Sequence, residues 1–270
     1  MIMYHLKQVP TDTQIRKFLR RTVFGRNISC PKCKSWNVVC FEERYRCRNR
    51  KCKIKFSLFS HTWLCNVKIP LQRFWLILWC WTKQMPVKQT QDLVSLSEKG
   101  VRHYFDLFRK QLPRDQELLG HIVQLDEAYF GRFGNTALLM GKEKGTRKLA
   151  YQILTSDAPG KKNAIDFVRI YVKPKSQLNT DGSPIYKNID KYYPVSHMTD
   201  IHKKFEFTNT SEIEGMFGVL RTFIRRMYHH ITEEKLEEYV CEFYCRFSRP
   251  EMFRSPRDYL LNTLHTLPTG

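Results

Sequence analysis

The sequence predicts an α/β protein in which a mixed sheet flanked by helices follows a cysteine-rich segment and a group of short helices. Three observations predict it. Residues 121–131 (HIVQLDEAYFG) read as a buried strand closing on acids, and two further strands, a helix and another strand follow it. Four cysteines between positions 30 and 52 stand in two close pairs. Between these regions lie an aromatic-rich helix opening at Pro70 and two short helices joined by a polar turn.

Charge is the strongest global feature. The 270 residues carry 46 Lys and Arg against 26 Asp and Glu, a formal net charge of +20. Residues 1–60 alone hold 15 basic and 3 acidic side chains. Such a bias predicts a polyanionic partner, nucleic acid first, because each neutralised phosphate releases counterions. An anionic membrane surface is the weaker alternative, since it usually needs a basic amphipathic helix and none stands out. No apolar run reaches the roughly 18 residues of a membrane span. The most apolar stretch, residues 74–81 (FWLILWCW), is too short. The first residues lack a signal-peptide pattern, so an intracellular protein is expected. In that compartment nine cysteines suggest metal ligands or free thiols rather than disulfides.

Residues 11–24 suit a short basic helix with Thr11 or Asp12 as N-cap. Cys30 and Cys33 form a C-x2-C pair. Thirteen residues later, Cys47 and Cys52 form a C-x4-C pair. Two such pairs around a β-rich insert suit one tetrahedral Zn²⁺ held by four thiolates, a structural site with no position open to water. The alternative is four unrelated buried thiols. Cys40, within VVCF, reads as a strand-core residue. Arg46, Arg48, Arg50, Lys51, Lys53 and Lys55 surround the second pair, where they offset thiolate charge and can still face DNA. The Trp and Phe residues of 70–84 read as core rather than as base-stacking groups. Residues 87–112 read as two helices with a turn near 97–100, a helix-turn-helix pattern that any α-hairpin shares. Arg102, His103, Arg109 and Lys110 fall on or near the second helix.

Asp126 and Glu127 follow the apolar run of the first strand. A carboxylate there is costly unless it is paired or holds a metal, although a strand ending at the surface is the plain alternative. Neighbouring strand side chains point to opposite faces, so only one of the two acids is expected to face a site. Residues 136–140 and 148–155 read as strands joined by a polar turn at 141–147, and 162–171 as a helix. Residues 176–186 hold the next strand and Asp181, although Asp181-Gly182 is also a common turn pair. Residues 187–208, with His197 and His202, show no clear period. From about 211 a long helix begins, with Ile213, Met216, Phe217, Leu220, Phe223, Ile224 and Met227 on one arc. Glu214, Gly218, Arg221 and Arg225 lie on the other side. Glu212 is about 200° from Glu214, so only one of them can face a site beside Arg221. Ser211-x-x-Glu214 is also the pattern of a capping box. Residues 233–247 read as an amphipathic helix with Cys241 and Cys245 in its core face, and 256–270 as a short closing helix.

Asp126, Asp181 and Glu214, separated by 55 and 33 residues, form a set suited to phosphodiester chemistry. A few carboxylates suffice for Mg²⁺, which takes oxygen ligands and keeps waters. Two such ions can activate the attacking oxygen and stabilise the leaving one. Arg221, two turns beyond Glu214, suits a phosphate.

The motifs VQLDEAYFG (123–131), TDGSPIY (180–186), IEGMFGVLR (213–221), RRMYHH (225–230) and LEEYVCEFYCRFSR (236–249) together resemble the Merlin superfamily of DNA transposons and its bacterial insertion-sequence relatives. CPKC (30–33), RCRNRKCKIKFS (46–57) and the helix after Pro70 resemble the zinc ribbon of the same family. The resemblance implies a DDE transposase with a ribonuclease-H-like catalytic domain, preceded by a zinc ribbon and a helix-turn-helix. It assigns Asp126, Asp181 and Glu214 as the triad and Arg221 as the basic residue after the Glu. It implies two Mg²⁺ (or Mn²⁺) per active site and one structural Zn²⁺. The implied partner is double-stranded DNA, both transposon ends and target, with at least a homodimer to hold two ends. Arg46, Arg48, Arg50, Lys51, Lys53, Arg102, Arg109 and Arg225 are the expected DNA-facing cations.

The corresponding division is 1–25 basic helix, 26–64 zinc ribbon, 65–118 helical region, 119–250 catalytic domain and 251–270 tail. The expected location is the nucleus in a eukaryotic host, otherwise the cytoplasm. Departures from the family pattern are Asn209 for a His, Phe217 for a Trp and His61-Thr62 for Gly-Thr. The alternatives are a domesticated, non-catalytic DNA-binding regulator and a nuclease of the same fold.

Overall fold

The computed structural model describes residues 9–42, 44–60, 62–130, 136–154, 159–200 and 210–264. Its contacts fall into two units, Met1–Gln111 with Glu251–Gly270, and Leu112–Pro250. His61, His202 and Asn209 lie outside the described residues.

In the first unit, helix α1 (Asp12–Phe24) begins with a capping box in which Thr11 and Gln14 satisfy each other's backbone N–H. Strands β1 (Val38–Phe41), β2 (Arg44–Cys47) and β3 (Lys55–Ser57) form an antiparallel sheet in that order. Along β2, Arg44 and Arg46 are exposed while Tyr45 and Cys47 are buried, the alternation of a sheet covered on one face. The covered face packs Tyr45, Cys47 and Phe56 with Cys30, Phe24 and Ile28. Cys40 is exposed, not in a strand core as expected, because β1 is an edge strand of this small sheet.

Helices α2 (Leu71–Thr82), α3 (Val87–Val94) and α4 (Glu98–Arg109) follow. The turn between the last two falls at 95–97, earlier than the sequence suggests. Ser95 is left-handed, and the Ser97 hydroxyl accepts from Gly100 N, which draws Gly100 into α4. Arg109 corrects a second expectation. It is 2% exposed and its guanidinium donates to Asp106 at 2.6 Å, so it belongs to the core and leaves the set of DNA-facing cations.

The second unit is built on a five-stranded mixed sheet. Its strands are β4 (Ile122–Phe130), β5 (Thr136–Glu143), β6 (Leu149–Leu154), β7 (Gln177–Thr180) and β8 (Ser196–Thr199), in the order β6-β5-β4-β7-β8. The first three are antiparallel, and β4, β7 and β8 run parallel. Helix α5 (Lys161–Tyr171) covers one face, where Ala164, Phe167 and Val168 pack with Val123, Leu125, Leu139 and Leu178. Helix α6 (Ser211–Tyr228) lies along β4 and β5, and helix α7 (Leu236–Ser248) along β6. In α7 the thiols of Cys241 and Cys245 donate to the Pro113 carbonyl, and both are buried, as read from sequence. Glu242, fully buried, accepts from Tyr228 Oη and from Arg246. Helix α8 (Pro256–Thr263) returns to the first unit, where the Tyr259 hydroxyl donates to the Phe108 carbonyl and its ring meets Trp81.

Three elements differ from the sequence reading. Strand β4 does not close on its acids but continues past Asp126 to Phe130, because β5 pairs with it along that whole length. Strand β5 continues through 141–143, where a polar turn is expected. Lys142 is buried because its ammonium pairs with Glu212, and Glu143 because its carboxylate accepts from Gly120 N at 2.7 Å. Strand β8 has no readable period because it is short and its residues are exposed or half-buried.

Gly141 is a close-approach position. A Cβ there would lie 2.9 Å from Leu119 Cδ1 and 3.0 Å from the Phe167 ring. Gly141→Ala is therefore expected to lower stability by about 1–3 kcal/mol through overpacking. Gly215 in α6 has open space around it. Gly215→Ala is expected to raise stability by about 0.5–1 kcal/mol. Urea unfolding of the two variants should shift the midpoint in opposite directions.

Candidate active site

The parallel ladder of β4 and β7 pairs Ile122 with Gln177, Val123 with Leu178 and Gln124 with Asn179. Continued two residues further, the same register sets Asp126 level with Asp181. Strand β7 ends at Thr180, so β4 has no ladder partner on that edge beyond Gln124. The two aspartates reach across that gap. Asp181 follows the strand in a local turn, its Oδ1 accepting from Ser183 N at 3.1 Å. Asp181 is thus a turn residue that also lies beside the acids of β4.

Glu127 joins them, and this corrects the expectation that Asp126 and Glu127 cannot share a site. Carboxylate atoms of Asp126, Glu127 and Asp181 all lie within 4.8 Å of one another. Alternation sets the direction of each Cα–Cβ bond. It does not set where a carboxylate two or three bonds further out comes to rest. Glu127 is drawn into place by the Tyr186 hydroxyl, which donates to it, and by Ser183 Oγ at 3.4 Å. Asp126 accepts from its neighbour's backbone, Glu127 N, at 2.8 Å.

Burial and mutual repulsion show in the acidities. Desolvation, followed by the charges of Glu127, Asp181 and Glu214, pushes the Asp126 carboxyl up to about 7 against an opposing bond from Glu127 N. Glu127 is raised by burial and by Asp181, with Tyr186 and Ser183 opposing. A group of half-buried carboxylates that resist joint ionisation is a donor set suited to a hard divalent cation. All its ligand atoms are oxygens, as Mg²⁺ or Mn²⁺ prefers.

Glu214 stands beside this cluster, outside the 4.8 Å group. Its side chain is exposed, and its charge reaches Asp126. The helix does not begin with the capping box that Ser211 and Glu214 suggest. Thr210 is the N-cap, and its hydroxyl lies 3.0 Å from Glu214 Oε1 and 3.2 Å from Asp200 Oδ2. Glu212 points elsewhere, paired with Lys142 and accepting from Gly145 N, and the Lys142 bond holds its carboxyl below the usual range. Arg221 and Arg225 are exposed on the same side of α6 as Glu214, with the Arg221 guanidinium 5.8 Å from the Phe130 ring centroid. A cavity of about 340 Å³ opens beside Asp181, lined in part by Lys187, His197 and Thr199.

Three contributors escape the sequence reading. Tyr186 and Ser183 are unremarkable in a turn-rich segment until β7 places them under Glu127. Gln124 carries one legible signal, a polar residue inside an apolar run. It is fully buried, and its Oε1 accepts from Ile213 N at 3.0 Å. Ile213 N also donates to the Thr210 carbonyl at 3.1 Å, so Gln124 is a second acceptor that ties the first turn of α6 to the strand that carries Asp126.

In the first unit, the sulfurs of Cys30, Cys33, Cys47 and Cys52 also lie within 4.8 Å of one another. Cys30 and Cys52 are 3.7 Å apart, Cys33 and Cys47 3.5 Å. A tetrahedron of ~2.3 Å metal–sulfur bonds has edges of ~3.8 Å, so the spacing fits Zn²⁺. It is far from the ~2.05 Å of a disulfide. The residue after each pair, Lys34 and Lys53, has φ of 58° and 51°, which turns the chain back around the sulfurs. A backbone bond from Ser35 brings the Cys33 thiol down to about 7. Arg46, Arg48, Arg50, Lys51 and Lys53 are all exposed around this centre, and Arg102 pairs with Glu98.

Residues 117–248 match the family described as the ISXO2-like transposase domain. No curated protein matches the chain.

The Gln124 bond makes a prediction. Gln124→Met keeps the volume and removes one of the two acceptors of Ile213 N, together with the buried, unpartnered Gln124 Nε2. It is expected to cost about 0.5–1 kcal/mol, the range of one net hydrogen bond with no donor left unmet. Urea unfolding would read it, and an unchanged unfolding free energy would show that the bond contributes nothing.

Proposed function

Because residues 117–248 match the ISXO2-like transposase domain, we propose that the chain cuts and joins DNA as a DDE transposase. The observation that carries the reading is the meeting of Asp126, midway along β4, with Asp181, just past the end of the parallel β7, with Glu127 in the same group. Asp126 and Asp181 would hold Mg²⁺ or Mn²⁺, two ions per site, and Glu214 would complete the set from α6. Glu127 is the competing third ligand, since it is the acid that lies closest. When bound, the ions activate the attacking oxygen and stabilise the leaving one.

The chain's own side chains position the substrate. Arg221 and Arg225 present two cations one turn apart on the exposed face of α6, where a DNA strand reaching Glu214 passes. Tyr186 and Ser183 keep Glu127 turned toward Asp126. Lys142 holds Glu212 away, so that α6 offers one acid to the site. The reaction is in-line displacement at phosphorus. In the first step a water oxygen bonds to phosphorus at the transposon end and the bond to the 3′ oxygen breaks. The freed 3′ hydroxyl then attacks a target phosphodiester, which releases a new 3′ hydroxyl.

The fold of this domain is read as ribonuclease-H-like. The cysteine centre is read as a zinc ribbon and α3–α4 as a helix-turn-helix, both binding the terminal inverted repeats. Two ends held together call for at least a dimer.

The decisive experiment joins an end oligonucleotide to plasmid with Mg²⁺ or Mn²⁺. Asp126→Asn, Asp181→Asn and Glu214→Gln are expected to abolish joining, while Glu212→Gln retains it. Joining lost in Glu127→Gln but kept in Glu214→Gln would move the third ligand to β4. Cleavage without joining in the wild type would make the chain a nuclease, and end binding without either would make it a regulator. For the cysteine centre, about one zinc per native chain is expected, and Cys47→Ser should lose it. A metal-free native chain would remove the ribbon.

A further inference from the structure

The uncovered face of the three-stranded sheet forms a cavity of about 720 Å³. The strand register explains its lining. Arg46 lies opposite Val39 and Lys55, and Arg44 opposite Phe41 and Ser57, so these side chains share the face turned away from Tyr45, Cys47 and Phe56. Arg44 and Arg46 on β2 and Arg48 just past its end line the cavity, with Lys53 and Lys55 beside them and Phe41 across from Arg44. Glu42 is the one acid among the described lining residues. Phe41 is 74% exposed, an aromatic ring on the wall of a cationic cavity rather than in the core.

A line of cations takes consecutive phosphates, and an exposed ring takes the face of a base. A basic path combined with an aromatic platform is the chemistry that binds unpaired strands. Shape separates this from duplex reading. A duplex is read by a convex element, a helix or a β-ribbon, entering its groove. A concavity receives something that projects, and a base projects from DNA only when it is unpaired.

We propose that this cavity binds unpaired nucleotides of a DNA strand, with Phe41 stacking on a base and Arg44, Arg46 and Lys55 on the phosphates. The inference rests on DNA being the partner, as proposed above, and adds which form of DNA this face takes. None of these four residues belongs to the acid cluster.

The test measures anisotropy of dye-labelled oligo(dT), and of a blunt duplex carrying the element's end sequence, against the full chain with no divalent cation added. Phe41→Ala is expected to weaken oligo(dT) binding about tenfold, the scale of one lost base stack, and to change duplex binding by less than about twofold. Phe41→Trp should restore the strand affinity, and the exposed position makes both variants fold. Arg46→Gln should reduce the salt slope for oligo(dT) by about 0.7, the value for one single-strand phosphate contact. Equal losses on strand and duplex, or no loss in Phe41→Ala, would overturn the proposal. A wild type that binds the duplex and ignores oligo(dT) would sink this inference and leave the transposase reading standing. A wild type that binds neither would count against both.

Discussion

The parallel pairing of β4 with β7 is the constraint from which the acid cluster follows. Three residue pairs suffice, because parallel register is rigid once one face is buried. Val123, Leu125 and Leu178 anchor that face against Phe167 and Val168. Asp126, inside β4, and Asp181, one residue past β7, are then fixed in depth. Asp126 and Asp181, 55 positions apart in the chain, arrive level with each other because Ile122 and Gln177 are paired. The early end of β7 leaves the gap into which they turn. A longer β7 would fill that edge with backbone hydrogen bonds and separate the carboxylates.

Bringing acids together in a half-buried place works against stability, and the acidities record it. Burial is the largest contribution at both Asp126 and Glu127. The surrounding polar groups reduce the cost unevenly. Glu127 has two side-chain donors and Asp126 a backbone one, whereas Glu214 shares a threonine hydroxyl at the entrance of α6. The site is therefore graded from a held acid on the sheet to a looser one on the helix. Gln124 and Lys142 set the position of that helix from β4 and β5. One accepts from Ile213 N in its first turn, and the other takes up the acid that does not face the cluster.

The small sheet of the first unit obeys a different economy of forces. Three strands of three or four residues bury few side chains, chiefly Tyr45, Cys47 and Phe56. A sheet of that size lacks the core to stand alone. The four sulfurs lie within 4.8 Å of one another, so a metal ion held there would supply the cross-link that apolar packing does not. This leaves the other face free of packing duty, so it can carry Arg44, Arg46 and Lys55 side by side.

The sequence by itself determined the α/β class, the cysteine quartet, the helices at Asp12–Phe24, Leu71–Thr82 and Ser211–Tyr228, and Asp126 and Asp181 as acids to be brought together. Each rests on a local signal: a capping pattern, a spacing, an apolar period, or an acid ending an apolar run. Tertiary structure decided the rest. It buried Arg109 against Asp106 and exposed Cys40 on an edge strand, because burial depends on what packs above a residue and not on its neighbours in the chain. It extended β5 through Lys142 because Glu212, 70 positions away, supplies the charge that permits a buried ammonium. It brought Glu127 into the acid cluster through Tyr186, against the alternation rule, because a side chain's tip answers to distant hydrogen bonds once its Cβ direction is set.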